Sequence, residues 1–145
     1  MEQFDIIGQL HRAAVANSWR FAAGDNFYQN IQLANDSIEI GQHVLTCEFN
    51  TTPTIINGRV TEITYNGSIM LGRKVDNDGQ IASLDETYLQ KYNARLLELM
   101  QLLANFIGQF ACDNELEITS IELVHSINNF DTNIDFVGGN ITIVQ

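Results

Sequence analysis

The sequence is poor in the residues that most kinds of chemistry require. It has one proline, one tryptophan, two cysteines and seven basic residues in a chain of 145. Two cysteines are too few for a disulfide framework, and neither Cys47 nor Cys112 has a second ligand at metal spacing. Their apolar neighbours predict buried free thiols. The seven bases are scattered, with only Arg73 and Lys74 adjacent, and eighteen acids bring the net charge to −11. That balance excludes a nucleic acid gripped through its phosphates, which needs clustered Lys and Arg. No apolar run approaches the ~18 residues of a membrane span. The opening MEQFDIIGQL lacks the basic start and apolar core of a signal peptide, so a cytoplasmic product is expected.

Catalytic and metal motifs are equally scarce. His11, His43 and His125 lie far apart, without a second His or Cys at ligand spacing, and read as surface or core histidines. There is no G-x-S-x-G, P-loop or G-x-G-x-x-G. Acidic pairs exist, as in any acidic chain, but nothing in their spacing selects two for glycosidase chemistry. KVDNDGQIASLDE looks like a calcium loop: with Gly79 at the sixth position, Asp76 and Asp78 fall third and fifth. The same register puts Lys74 at the first position, where a carboxylate is needed. A plain turn before a capped helix is the better reading. No catalytic residue, cofactor or metal site is therefore expected, and the chain reads as a non-enzyme.

What the sequence does contain is pattern. Residues 83–110 form a long amphipathic stretch that opens with a capping box, Ser83 and Glu86. Tyr88, Leu89, Tyr92, Leu96, Leu99, Met100, Leu103, Phe106, Ile107 and Phe110 recur at three- and four-residue spacing, which stacks them on one side of a helix. A first helix is expected from Glu2 to about Asn17, with Phe4, Ile7, Leu10, His11, Ala14 and Val15 on its inner face. SWRFAAGD reads as a helix end passing into an extended segment stopped at Gly24. Residues 25–42 read as a long loop with a few apolar anchors, and a loop of that length is more often functional or interfacial than idle.

Residues 43–49 alternate as a half-buried strand, and NTTPTIING after it reads as a connection. Residues 59–74 are rich in Val, Ile, Thr and Tyr. Asn66-Gly67 in their middle allows either a hairpin or one long strand with a bulge. A short break follows the long helix at 111–114. A third strand is expected at 115–127 and a fourth at 133–144. In the last strand the apolar parity slips at Gly138-Gly139, as a bulge or a close backbone approach would produce. The whole is one α+β domain: an antiparallel sheet of about four strands, with the N-terminal helix and the long helix packed on one face.

Three features together carry a family resemblance. They are Phe21-Ala22-Ala23-Gly24-Asp25 after the first helix, Met70-Leu71-Gly72-Arg73-Lys74-Val75-Asp76 leading to the helix with Asp85-Glu86-Thr87, and Asn129-Phe130-Asp131-Thr132-Asn133 in a hairpin closing with Gly138-Gly139-Asn140-Ile141-Thr142-Ile143. In order and pattern the chain resembles the tail-terminator and tail-completion proteins of tailed bacteriophages. The aromatic usual near the end of that family's last strand is absent here, where the glycine pair stands.

The resemblance implies a sheet backed by two helices that assembles as a homo-oligomeric ring at the tail or neck of a virion, beside other virion proteins. DNA would pass through without specific binding, and an acidic lumen would keep phosphates off its wall. It implies no membrane partner and assembly in the host bacterial cytoplasm. Within the long loop, Phe27, Tyr28, Ile31 and Leu33 have no clean period to bury them internally and are the candidate subunit interface. From a different class, a soluble binding or regulatory module docking its acidic surface on a basic protein fits the composition as well.

Overall fold

A computed structural model describes residues 4–23, 38–74, 95–129 and 134–145, with the backbone alone for 125–129. The order is helix α1 (Ile6–Ala16), strands β1 (Arg20–Ala23), β2 (His43–Ile56) and β3 (Arg59–Lys74), helix α2 (Leu97–Asp113), then β4 (Glu117–Ile121), β5 (Val124–Asn129) and β6 (Ile134–Val144). The α+β class holds, with two helices on one sheet face. The sheet is larger than four strands. Its order is β1-β2-β3-β6-β4, and β5 also pairs with β6, so β4 and β5 share the last position. Every pairing is antiparallel except β1 on β2.

The first helix begins later than its apolar pattern suggests. Asp5 caps it, its side chain accepting from the Gly8 amide at 3.0 Å. The buried row is Ile6, Leu10 and Ala14 at four-residue spacing, with Gln9 beside it. Val15 lies a further 100° round the helix and is 59 % exposed, while Phe4 precedes the cap and is also exposed. The Phe4 amide donates to Tyr65 Oη at 3.2 Å, pinning the start of α1 to β3. At the other end, the Asn17 side chain donates to Ala13 O, and the chain passes into the extended β1 as expected.

In α2 the stripe is as expected: Leu96, Leu99, Leu103, Phe106, Ile107 and Phe110 are buried, and Met100 is half-buried against them. The helix runs to Asp113, through the expected break, and Asn114 closes it by donating to Phe110 O. The capping box at Ser83 and Glu86, the apolar positions up to Tyr92, the acidic turn at Asp76 and Asp78, and most of the 25–42 loop lie outside the described residues.

The hairpin of β2 and β3 departs most from expectation. It turns at Asn57-Gly58, both with positive φ (52° and 74°), the backbone that suits a two-residue hairpin turn. β2 therefore continues through Pro53 instead of ending in a connection. Pro53 is tolerated because no strand among the described residues lies on the outer edge of β2 there; β1 pairs only with Val44 through Cys47. Asn66-Gly67 is neither a turn nor a bulge. Asn66 pairs with Asn50 and Gly67 with Phe49 in unbroken register, and the irregularity falls at Thr54/Ile55.

The parity slip in β6 has a different origin from a bulge. The ladder between β3 and β6 is continuous from Thr64↔Val144 to Lys74↔Ile134. Val137, Ile141 and Ile143 face the helices, whereas Ile134 and Phe136 face the opposite side and meet Val44, Ile38 and Met70 in a second, smaller cluster. The apolar side changes because both faces are covered at this end. Glycine is still required at 138: φ is +132°, and a Cβ would lie 2.1 Å from Ile69 O of the neighbouring strand. The expected third strand is two strands, separated at Glu122 and Leu123, each taking half of β6.

Candidate functional site

The densest group of charged side chains among the described residues sits where α2 begins. Arg95 grips Asp135 with two parallel bonds, Nε to Oδ2 and Nη2 to Oδ1, both 2.7 Å. Asp135 is fully buried, so a bidentate, charge-assisted pair is what makes its ionised form tolerable. Arg73 supports the turn by donating from Nη2 to Arg95 O at 2.9 Å. It also lies 3.6 Å from the exposed carboxylate of Glu98, a contact of small energetic weight. His43 stands opposite Arg73 in the ladder, and its Nε2 is buried without a hydrogen-bond partner among the described residues. Burial, with the Arg73 charge beside it, holds the imidazole below its usual range, against a weaker pull from Glu98. His43 is therefore neutral at pH 7 and packs as a ring against Trp19.

This cluster joins helix to sheet, and no activated nucleophile accompanies it among the described residues. Cys47 is buried and its thiol is pushed up to about 12 by desolvation, which makes it inert. Cys112, expected to be buried, is exposed at the last turn of α2. His11 stacks on Phe21 with ring centroids 5.0 Å apart. Among the described residues no three His, Cys, Asp or Glu side chains gather to hold a metal ion, and no helix is long and apolar enough to cross a membrane.

Three surface features remain. The first is the outer part of the β2–β3 hairpin. The β6 ladder ends at Thr64, extended by reciprocal Ile63–Gln145 backbone bonds of 3.0 and 2.9 Å, so residues 54–62 project past the sheet as a two-stranded arm. Thr61 Oγ1 donates to Thr54 O across it. At its tip Ile55 and Ile56 are 62 % and 55 % exposed, with Arg59 beside them.

The second is a groove of about 350 Å³ between α1 and α2. Trp19, Phe106 and Phe110 line it, with the Trp19 and Phe106 rings 4.9 Å apart. Asn105, Gln109 and Asp113 form a polar border, where Gln109 Nε2 donates to Asp113 Oδ1 at 2.7 Å. The third is a polar depression of about 360 Å³ on the face opposite α1 and α2, lined by Glu48, Asn50, Asn66, Ser68, Asn140 and Thr142.

The candidate interface residues Phe27, Tyr28, Ile31 and Leu33 lie outside the described residues. In sequence Asn57-Gly58 reads as a turn, but Pro53 makes the stretch before it read as a connection, which hides the arm. The groove has no linear signature, since Trp19, between α1 and β1, meets Phe106 of α2 only in the folded chain. No protein-family model matches the chain, and no curated protein shows significant similarity to it.

Proposed function

We propose that this chain is a structural subunit of a tailed-bacteriophage virion, assembling as a homo-oligomeric ring at the tail or neck through which DNA passes. The observation that carries the reading is the arm at residues 54–62, a projection whose tip leaves Ile55 and Ile56 more than half exposed. Exposed isoleucines on a projecting hairpin cost solubility unless a partner buries them. The net charge of −11 supports the same reading, because a wall of like charge keeps phosphates from adhering. The order of elements along the chain also suits the tail-terminator and tail-completion resemblance.

The test is direct. The purified protein, alone and mixed with phage tail tubes, is examined by light scattering and negative-stain microscopy. A symmetric particle with a central opening is expected, with no retention of DNA at low salt. A monomer under all these conditions that instead captures a basic protein would replace the ring with a soluble binding module.

A further inference from the structure

We infer that the arm of one copy docks in the helix groove of the next: Ile55 and Ile56 enter the space between α1 and α2, over Trp19, Phe106 and Phe110. This deepens the ring reading and rests on it in one respect, that the chain assembles with itself. Both halves of the contact are on the same chain, and the groove stays open although Phe106 and Phe110 at its floor belong to the core. The arm presents two branched aliphatic side chains more than half exposed. The groove, at about 350 Å³, is lined by aromatic rings and holds the volume of a pair of such side chains.

Charge completes the match. Arg59 pairs with Ile56 at the turn of the arm, so it travels with the apolar tip, and Asp113 stands on the border of the groove. A cation beside the knob and an anion beside the hole fix the direction of insertion and disfavour arm-to-arm contact, which would bring two Arg59 side chains together. Knob and hole are different patches, so the contact can run head-to-tail as well as reciprocally in a two-fold pair, and the ring reading selects the head-to-tail form. Such contacts close into a ring when the rotation permits and otherwise run on as a filament.

The experiment uses the full chain. Ile55→Asp with Ile56→Asp should leave circular dichroism and melting unchanged and raise the dissociation constant for self-association at least about tenfold, a change of 1.4 kcal/mol. Arg59→Asp and Asp113→Arg should each weaken association, and the two together should restore it, the pattern of a direct pair. Geometry is read by cross-linking. Ile56→Cys with Gln109→Cys, in a Cys112→Ser background, gives each copy one knob thiol and one groove thiol. Oxidation should then produce a ladder of covalent oligomers on a non-reducing gel. No product would overturn the docking, and products that stop at dimers would make it a reciprocal pair and remove the ring. Particles that persist in the double aspartate variant without a ladder would remove the docking and leave the ring. A ladder that builds open filaments would keep the docking and remove the ring.

Discussion

On the helix side of the sheet, Leu45, Ile63, Tyr65, Ile69, Leu71, Val137, Ile141 and Ile143 join residues of α1 and α2 in one core that runs most of the sheet's length. On the other side, burial is confined to one end, where Ile38 meets Val44, Ile134 and Phe136. Beyond that end the second face turns polar, through Glu48, Asn66, Ser68 and Asn140. Strand alternation is therefore a good guide in the middle of the sheet and fails where both sides are covered, as at Val44 through Cys47 and Ile134 through Gly138. Gly72 belongs to the second cluster, since a Cβ there would meet the Phe136 ring at 2.6 Å.

The difference between the faces can be broken in several ways. The largest effect is expected at the helix-side ion pair. Asp135→Ala removes the bidentate carboxylate that Arg95 grips beneath α2 and should cost about 3–5 kcal/mol in chemical denaturation, whereas replacing both by apolar residues should cost much less. Equal losses for the single and double changes would mean the pair is not acting as a unit.

Next come the cores themselves. Leu103→Ala on the helix side should cost roughly 2–5 kcal/mol and Phe136→Ala on the opposite side roughly 3–5 kcal/mol, since both side chains are fully buried. A loss below about 0.5 kcal/mol at Phe136, the range of surface sites, would show the small cluster to be energetically idle.

Asn140→Ala on the exposed part of the second face should stay within about 0.5 kcal/mol. A larger loss would mean that the polar face is covered in the folded protein.

The smallest expected effect is a pH slope. His43 has its folded pKa lowered below 6.5, so its contribution is present above that pH and is lost as pH falls through the lowered value. Denaturation midpoints should decline from pH 7 toward 5, and His43→Asn should flatten that part of the profile. An unchanged slope would place the titration elsewhere.

Much of the fold was legible because its signals are periodic. The stripe of α2 from Leu96 to Phe110 and the alternation of Leu45 and Cys47 are local facts of spacing. The failures are of another kind. Pro53 reads as a strand breaker unless one knows that β1 pairs with β2 only from Val44 to Cys47. The slip at Gly138-Gly139 reads as a bulge unless one knows that Phe136 has a second cluster to enter. The ion pair joins residues from separate elements and has no sequence spacing to betray it. Of the candidate site, the expectation of an apolar interface rests on Phe27, Tyr28, Ile31 and Leu33, while the arm is hidden because Pro53 makes the stretch before the Asn57-Gly58 turn read as a connection.

The Asn57-Gly58 turn also orders events in time. A hairpin with a two-residue turn closes almost no loop and forms in about 1–10 µs. β6 must come from far along the chain: Tyr65 Oη reaches Gln145 Oε1 at 2.8 Å across 80 residues. Loop closure makes such pairings late. Until β6 arrives, the inner edge of β3 from Thr64 to Lys74 is an unpaired template, and β4 and β5 have nothing to join. Stopped-flow kinetics should show Asn57→Ala slowing folding, with Ile141→Val chiefly speeding unfolding. The reverse assignment would mean that β6 docks early. If β6 is late, chains are most prone to aggregate between hairpin closure and the insertion of a strand that follows β1 to β5 in sequence yet ends up inside the sheet.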